Sequence, residues 1–381
     1  MSSLRVLSIF GTRPEAVKMA PVVKRLAETP GVESCVCVTA QHRQMLDQVL
    51  NLFNISPDVD LNLMRPNQSL AQLTADIFTA LDPVLRDIQP DWVLVQGDTT
   101  TVMSAALLSF YHHIRVGHVE AGLRTYDRYQ PFPEEINRRI AGVVADLHFA
   151  PTEHSRQNLL KENIPSDAIV VTGNPAIDAL QSIVRLPPPP ETQHLLDRLG
   201  ISTGQKQLIT VTAHRRENLG PGIEQICRSL RILAESYPDR LELVYPVHLN
   251  PNVQEPVYRM LSSVSNITLT SPQDYLPMVH LMKHSVLVLT DSGGIQEEAT
   301  SLGVPTLVLR EVTERPEGVE AGVLKLVGAD TGRIVSEAQR LLDDSQAYQQ
   351  MATAANPFGD GHAAERIVDA LLQHSAPGAG A

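Results

Sequence analysis

In Trp92-Val93-Leu94-Val95-Gln96-Gly97-Asp98-Thr99-Thr100-Thr101, an apolar run turns abruptly into a polar segment, and this change is the clearest indication of the fold. The apolar part carries no polar side chain on either face, which is typical of a parallel strand covered by helices on both sides. The glycine permits a sharp turn, and the threonines favour the start of a helix. Val286-Leu287-Val288-Leu289 leads in the same way into Asp291-Ser292-Gly293-Gly294. The two stretches therefore predict strand, turn and helix in both halves of the chain.

Short apolar runs rich in β-branched residues alternate with longer helical stretches along the whole chain, which is typical of parallel strands joined by crossover helices. The strands predicted in the first half are Arg5–Phe10, Ser34–Thr39, Trp92–Gln96, Val116–Glu120, Leu147–Ala150 and Ile169–Thr172. Those predicted in the second half are Leu208–Thr212, Leu241–Val247, Ile267–Thr270, Val286–Thr290 and Thr306–Leu309. The pattern predicts an α/β protein with two Rossmann-like, doubly wound domains.

The predicted domain change lies near a run of four prolines, Pro187 to Pro190, which cannot continue a helix or occupy a central strand. We predict an N-terminal domain over 1–172 and a C-terminal domain over 173–359. Apolar spacing predicts a terminal helix at about 360–373. The spacing does not indicate which of the two domains this helix packs on. Residues 374–381 are rich in Ala, Gly and Pro and are predicted to be disordered.

Composition excludes several functional classes. With 381 residues, the chain is longer than a single core usually organises, and a cleft between two domains is a natural ligand site. The net charge of −12 argues against a protein that holds nucleic acid or an anionic membrane by charge. Three scattered cysteines favour a reducing cytoplasm over a disulfide framework. The first apolar run is too short for a signal peptide or a membrane span.

Motifs for the common cofactor sites are missing from the sequence. No G-x-G-x-x-G follows the first strand, and no P-loop motif is present, so a dinucleotide oxidoreductase and P-loop chemistry are excluded. The histidines lack H-E-x-x-H or Cys–His spacing. We therefore expect no metal and no cofactor.

Ligands of open α/β sheets gather at the carboxyl ends of the strands, so the residues just after each apolar run are informative. After the first run, Arg13 and Lys18 flank a helix start and form a candidate anion site; the alternative is a helix start with solvated cations. Asp98 follows the central run, where an N-cap cluster is the simpler interpretation. Glu120 closes a buried strand, where an ionised carboxylate is costly unless it is paired or functional.

Two further segments carry charged side chains. Glu134 and Arg138 are four residues apart and would form an i,i+4 pair on a helix, either as a surface salt bridge or as part of a site. His214 enters a loop beside two arginines, and such a histidine tends to stay neutral and able to accept a proton. The Ser292 hydroxyl and the amides after it would cradle a diphosphate. Glu298 would then accept the ribose hydroxyls, and Arg315 would reach the same cleft.

Eight motifs in order resemble the non-hydrolysing UDP-N-acetylglucosamine 2-epimerase family from Arg5 to about Arg366. They are Gly11-Thr12-Arg13-Pro14-Glu15-Ala16, Gln41-His42-Arg43, Gly97-Asp98-Thr99-Thr100, His118-Val119-Glu120-Ala121-Gly122-Leu123-Arg124-Thr125, Pro133-Glu134-Glu135, His214-Arg215-Arg216-Glu217-Asn218, Tyr245-Pro246-Val247-His248-Leu249-Asn250-Pro251 and Asp291-Ser292-Gly293-Gly294-Ile295-Gln296-Glu297-Glu298. The resemblance implies a glycosyltransferase-B-like pair of domains with the active site in the cleft between them. It also implies a cytoplasmic homodimer that interconverts UDP-N-acetylglucosamine and UDP-N-acetylmannosamine for surface polysaccharide synthesis.

The resemblance also assigns roles to residues of this chain. Substrate-binding positions of the family fall on Arg13, Lys18, Asp98, Glu120, His214, Gln273, Ser292, Gly293, Gly294, Glu298 and Arg315. Met278 stands where a phenylalanine often packs beside the uracil, and its thioether can still lie against the ring. A second, regulatory UDP-N-acetylglucosamine is implied at Gln41, Gln44, Arg216 and His248, although these residues could equally be structural.

Chemistry explains why carboxylates are needed. The C2 hydrogen is not α to a carbonyl, so the family first eliminates UDP to 2-acetamidoglucal and then adds UDP back after protonation from the other face. Arg13, His214 and the Ser292–Gly294 amides fit the departing diphosphate. The carboxylates of Asp98, Glu120 and Glu134, with Arg138 orienting or tuning one of them, fit the proton transfers.

Three other functions remain open at this point. A hydrolysing relative would release UDP and free N-acetylmannosamine, which product analysis distinguishes from an intact UDP-sugar. A retaining UDP-sugar glycosyltransferase would need an acceptor site, for which no clear feature is present. A non-catalytic sensor would have little reason to place carboxylates at the ends of buried strands.

Overall fold

The computed structural model describes residues 3–39, 43–65 and 68–375. The strands are β1 (Leu4–Phe10), β2 (Val32–Val38), β3 (Val59–Asp60), β4 (Trp92–Gln96), β5 (Arg115–Val119), β6 (Leu147–Ala150), β7 (Ile169–Val171), β8 (Gln207–Thr212), β9 (Leu241–Pro246), β10 (Ile267–Thr270), β11 (Ser285–Thr290), β12 (Thr306–Val308) and β13 (Leu324–Leu326). The helices are α1 (Arg13–Glu28), α2 (Arg43–Phe53), α3 (Leu70–Ile88), α4 (Thr100–Tyr111), α5 (Glu134–Val144), α6 (Glu153–Lys161), α7 (Pro175–Ile183), α8 (Pro190–Arg198), α9 (Pro221–Ser236), α10 (Pro251–Leu261), α11 (Tyr275–Lys283), α12 (Gly293–Ser301), α13 (Pro316–Glu320), α14 (Thr331–Asp343), α15 (Ser345–Ala352) and α16 (Ala363–Ser375).

The chain forms two compact units. The N-terminal unit contains the described residues of Met1–Ala179 and of Phe358–Ala381, and the C-terminal unit is Leu180–Pro357. The first division falls inside α7, a few residues after the predicted change at Gly173. The C-terminal unit therefore ends before α16, which belongs to the N-terminal unit.

The N-terminal unit is built on a seven-stranded parallel sheet in the order β3-β2-β1-β4-β5-β6-β7. Every residue of β4 is buried, as an apolar strand covered on both faces requires. Helix α16 packs against α1, and the carboxylate of Asp178 accepts hydrogen bonds from the first amides of α16. At the far end of α16, the Ser375 hydroxyl accepts from the Trp92 indole at 2.8 Å.

The C-terminal unit has a six-stranded parallel sheet in the order β10-β9-β8-β11-β12-β13. Its main core joins the inner faces of β8, β9 and β11 to α9, α10 and α14. The last of the four prolines is the first residue of α8, where its missing N–H costs nothing.

The predicted class, two doubly wound α/β units, is confirmed by these parallel sheets. Two strands were not predicted, β3 with two residues and β13 with three. Each lies at a sheet edge and pairs with a single neighbour, so neither needs the long apolar run by which a buried strand is recognised. The predicted tail at 374–381 lies outside the described residues from 376 onward. Among the helices described, none has the length and apolar character needed to cross a membrane.

Candidate active site

In the N-terminal unit, the strand order reverses direction between β1 and β4. In open α/β sheets, ligands bind in the crevice outside the carboxyl ends of the strands at such a switch point. Glu15 joins the two loops that follow these strands. Its carboxylate accepts from the Gly11 amide at 3.0 Å, from the Thr12 amide at 2.7 Å and from the Thr99 hydroxyl at 2.7 Å. Burial raises the pKa of Glu15, and these hydrogen bonds partly offset that rise. The link fixes the start of α1 relative to the turn that carries Asp98.

Glu120 follows β5 with φ of +61°, a left-handed conformation that is uncommon for a residue with a side chain. Its carboxylate is 5% exposed and lies 2.5 and 2.7 Å from the Lys18 ammonium. The side-chain amides of Gln96 and Asn174 also donate to it. Three different parts of the unit therefore hold this carboxylate in place, and a strained backbone at such a position is typical of a functional site.

Arg138 on α5 connects Asp98 to a second carboxylate. Its Nη2 donates to Asp98 Oδ2, and its Nη1 donates to Glu135 Oε2 at 3.2 Å. The expected i,i+4 pair between Glu134 and Arg138 is not formed within the described residues. Glu135 takes the guanidinium instead because it is also one turn away and is fully buried. Glu134 keeps a buried Oε2 with no hydrogen-bond partner in the described part of the chain.

The peptide that precedes Asp98 is held by a buried histidine of β5. His118 Nε2 lies 2.7 Å from the Gly97 carbonyl oxygen, so this ring nitrogen carries the proton. Burial lowers the pKa of His118 to about 4, which keeps the imidazole neutral near pH 7. The Asn137 amide donates to the Asp98 carbonyl at 3.0 Å. The turn after β4 is thus fixed on both sides of Asp98.

The corresponding switch point of the C-terminal unit lies between β8 and β11. Asp291, fully buried after β11, accepts from the backbone amides of His214 and Arg215, both at 2.8 Å, and from the Asn218 side chain at 3.0 Å. One carboxylate therefore shapes the whole loop after β8.

The His214 imidazole lies in this loop and stacks on His248, with ring centroids 5.0 Å apart and planes 10° apart. Burial lowers the pKa of His214; the Asp291 carboxylate opposes the shift, whereas His248 and Arg215 add to it. The ring is therefore neutral near pH 7 and able to donate one hydrogen bond to an anion. His248 Nδ1 accepts from the Asn250 amide at 3.1 Å, which fixes the outer ring of the stack.

The N-terminus of α12 carries the second part of this site. Ser292 is its N-cap residue and makes no side-chain capping bond, and the first N–H groups of an α-helix have no intrahelical acceptor. A Cβ at Gly293 would lie 2.9 Å from Arg315 Nη1 and 3.1 Å from its Cζ, so any larger residue here would require the guanidinium to move from its present position. Glu297 accepts from Arg315 Nε at 2.7 Å and orients it. Amides and a cation thus occur together, as an anion site requires.

The structure places the remaining predicted residues as follows. The side chain of Arg13, the first residue of α1, makes no hydrogen bond or ion pair with a described residue. Gln273 donates to the Ser271 carbonyl at 2.9 Å, and Met278 packs against the apolar cluster around Leu208. Glu298 is half-buried on α12. Arg216 is exposed, Gln41 lies outside the described residues, and the side chain of Gln44 does too.

Several residues that shape the two sites were not predicted: Glu15, Gln96, Glu135, Asn174, Asp291 and Glu297. Thr12-Arg13-Pro14-Glu15 matches the capping-box pattern, which was a signal available for Glu15. Asn174 is 54 residues from Glu120 in sequence, and no local pattern joins them. In the described ranges, no group of three His, Cys, Asp or Glu side chains is arranged to hold a metal ion.

Two parallel sheets carry polar loops at the carboxyl ends of their strands, with buried carboxylates in one unit and an uncapped helix start beside an arginine in the other. These features define a Rossmann-like α/β enzyme. Residues 24–372 match the family model described as UDP-N-acetylglucosamine 2-epimerase. The UDP-N-acetylglucosamine 2-epimerase of Yersinia pestis is 56% identical over 373 residues, which cover 97% of this chain and 99% of that protein. The chain belongs to the UDP-N-acetylglucosamine 2-epimerase family.

Solved structures agree with the sequence comparison. The crystal structure of the Neisseria meningitidis enzyme bound to UDP-GlcNAc has a TM-score of 0.88 and 51% identity, covering 97% of this chain and all of that one (100%). The Methanocaldococcus jannaschii enzyme in complex with UDP-GlcNAc and UDP has a TM-score of 0.80 and 32% identity, covering 97% of this chain and 99% of that one. The fold is therefore retained even in a relative that is only 32% identical.

Proposed function

We propose that this protein interconverts UDP-N-acetylglucosamine and UDP-N-acetylmannosamine without hydrolysing the UDP-sugar. The observation that carries the proposal is the Glu120 carboxylate, which is buried, set in a left-handed backbone and held by Lys18, Gln96 and Asn174. A protein that only bound a polyanion would gain nothing from a carboxylate kept at this position. The names of the relatives and the ligands of two solved relatives support the same substrate.

In the proposed reaction, the C1–O bond to UDP breaks with oxocarbenium character, and C2 then loses its proton to a carboxylate. The products of this step are UDP and 2-acetamidoglucal. Protonation of C2 from the opposite face and return of UDP to C1 complete the inversion. Asp98 and Glu120 are proposed to flank the sugar ring, so that one removes the proton and the other supplies it. Glu134, whose buried Oε2 has no partner among the described residues, is the third proposed proton-handling group.

We propose that the departing diphosphate is held by the Ser292–Gly294 amides, Arg315 and the neutral imidazole of His214, with Arg13 as a further cation. A neutral imidazole donates a hydrogen bond to phosphate and can transfer that proton as negative charge develops. Glu298 remains the proposed ribose ligand and Gln273 and Met278 the proposed uracil contacts.

Deuterium incorporation tests the reaction directly. Proton NMR of UDP-N-acetylglucosamine with the protein in deuterated water should show UDP-N-acetylmannosamine carrying deuterium at C2, because the removed proton exchanges with solvent. Free N-acetylmannosamine with UDP would instead identify a hydrolysing enzyme. An unchanged UDP-sugar with no C2 exchange would contradict the proposal.

The diphosphate site makes a separate prediction. Gly293→Ala should weaken UDP binding about tenfold or more, which corresponds to about 1.4 kcal/mol, because its Cβ displaces the Arg315 guanidinium that Glu297 holds. Gly222→Ala is the matched control, since a Cβ there meets its nearest atoms at 3.6 Å. Calorimetric titration of each variant with UDP measures the effect. Equal affinity in the two variants would remove Arg315 from the diphosphate site.

We also propose a homodimer, a cytoplasmic location, a role in surface polysaccharide synthesis and regulation by a second UDP-N-acetylglucosamine. The dimer is supported by large apolar side chains that adjoining helices of the N-terminal unit expose: Phe110 and Tyr111 on α4, and Val143 on α5, which is 82% exposed. Such side chains mark an interaction surface. Light scattering of the native protein tests the dimer.

The stacked rings of His214 and His248 support a regulatory site that communicates with the diphosphate site. Hyperbolic kinetics of the native protein would contradict this regulation.

A further inference from the structure

We propose that Glu135 is a positioning residue that keeps Arg138 on Asp98 and away from Glu134. The proposal rests on the proposed function, in which Asp98 and Glu134 handle protons. Two adjacent glutamates that the sequence alone does not distinguish thereby have different roles. Glu134 is left for the reaction, and Glu135 acts through the arginine.

Helix geometry places both glutamates within reach of Arg138. Glu134 is four residues before the arginine and Glu135 is three residues before it, and side chains at both spacings share a helix face. In the structure, Arg138 Nη1 is 3.2 Å from Glu135 Oε2, and Glu134 makes no such contact. Both carboxylates are therefore near enough to pair with Arg138, and Glu135 is the one that forms the ion pair.

Glu135 is fixed independently of Arg138. Its side chain is fully buried, and Oε2 accepts from the Thr125 amide at 3.1 Å and from the Thr125 hydroxyl at 3.2 Å. Oε1 accepts from Arg139 Nε at 3.3 Å. A carboxylate held by these donors presents a fixed charge to the guanidinium. Because the guanidinium is a rigid plane, fixing Nη1 also fixes the direction of Nη2, which donates to Asp98.

Loss of the Glu135 charge would free Arg138 to turn toward Glu134. The arginine side chain is 7% exposed, so it would seek another anion rather than water. A pair with Glu134 would occupy a proposed proton-handling group and leave Asp98 without its cation. Both consequences act on the chemical step rather than on nucleotide binding, which the proposal assigns to the C-terminal unit.

A double-mutant cycle tests this link. We expect Glu135→Gln to lower kcat about 10- to 100-fold, the scale of a misplaced reacting group, while KM changes less than about threefold. Arg138→Gln should cause a loss at least as large, and Glu135→Gln should add nothing further in that background. Activities are taken per folded molecule, with thermal unfolding measured on each variant.

Arg139 supplies the matched control, because it also contacts Glu135 but is 39% exposed and makes no contact with Asp98. Arg139→Gln should have little effect alone, and the full loss from Glu135→Gln should persist in its background. If Glu135→Gln does not fold, Arg138→Lys tests the same link, since a single ammonium cannot bridge two carboxylates in fixed geometry. It should lower kcat by a similar factor.

Three results would overturn the positioning role: independent losses from Glu135→Gln and Arg138→Gln that multiply, a raised KM with unchanged kcat, or parent-like kcat in Arg138→Lys. A lowered unfolding temperature with parent-like kcat per folded molecule would likewise reduce Glu135 to a structural residue. If the parent protein does not exchange deuterium at C2 of UDP-N-acetylglucosamine, the proposed function and the positioning role are both wrong. If the parent is active but the losses of kcat in Glu135→Gln and Arg138→Gln multiply, only the positioning role of Glu135 is wrong.

Discussion

Glu120→Gln should lower deuterium incorporation at C2 by about 10³-fold, within the range expected for removing a positioned acid–base group. Glutamine fills the same space and can still accept from Gln96 or Asn174, but it cannot take the C2 proton. UDP binding should persist, because the proposed diphosphate ligands lie in the other unit. NMR in deuterated water and calorimetric titration with UDP measure the two quantities on the same preparation.

The buried ion pair of the C-terminal unit provides the control. Lys206 and Glu242 lie 2.6 Å apart, and the Glu242 side chain is 6% exposed, much as Glu120 is paired with Lys18. Each glutamine variant removes the carboxylate charge from a part-buried ion pair and should cost about 3 kcal/mol of stability. Glu242→Gln should nevertheless retain parent-like exchange per folded molecule. Near-normal exchange in Glu120→Gln would refute the assignment of Glu120.

The N-terminal unit should lose stability in mild acid because it buries two neutral histidines. Burial lowers the pKa of His118 to about 4 and the pKa of His148 to about 3, against 6.5 in the unfolded chain. Below pH 6.5, these two imidazoles therefore bind protons in the unfolded chain but stay largely neutral in the folded unit until the pH approaches 4. This stability is complete above pH 6.5 and falls as the pH drops toward 4, by about 2 kcal/mol for each histidine between pH 7.5 and 5.0.

His148→Gln measures one of these contributions. We expect the loss of unfolding free energy between pH 7.5 and 5.0 to be about 2 kcal/mol smaller than in the parent. Trp92, the single tryptophan, is buried in β4, so its fluorescence in urea reports on this unit. Glu15 and Asp178, whose pKa values burial raises, act in the opposite sense, so the variant is compared with the parent and not with a flat line. His113→Gln is the control, because that side chain is exposed in the folded protein. Parent-like pH dependence in His148→Gln would contradict the prediction.

Strand positions were predictable because a strand covered on both faces must be apolar throughout. Trp92–Gln96, Leu147–Ala150 and Ile267–Thr270 have the predicted bounds, and the other predicted strands differ by one or two residues at their ends. The edge strands β3 and β13 escaped because an edge strand needs no such run. The loops that carry the site residues followed from the strands, since parallel strands bring their carboxyl ends to the same edge.

Partner choice within the site was not predictable. Lys18 was expected to hold an anion of the substrate, and the structure pairs it with the Glu120 carboxylate. Arg138 was expected on Glu134 and lies on Asp98 and Glu135. Glu120 is 102 residues from Lys18, and Asp98 is 40 residues from Arg138, so no local pattern of the sequence indicates either pair.

The two parallel sheets, the turns that end their strands and the residue types in those turns were predictable from the sequence, because hydrophobic period and turn chemistry are local properties. The pairing of side chains depended on the three-dimensional arrangement: Asn174 donates to Glu120, and Asp291 accepts from the backbone of the loop that carries His214. Such contacts join residues from distant parts of the chain. Their energies depend on burial and direction, which exist only once the strands have taken their order in the sheet.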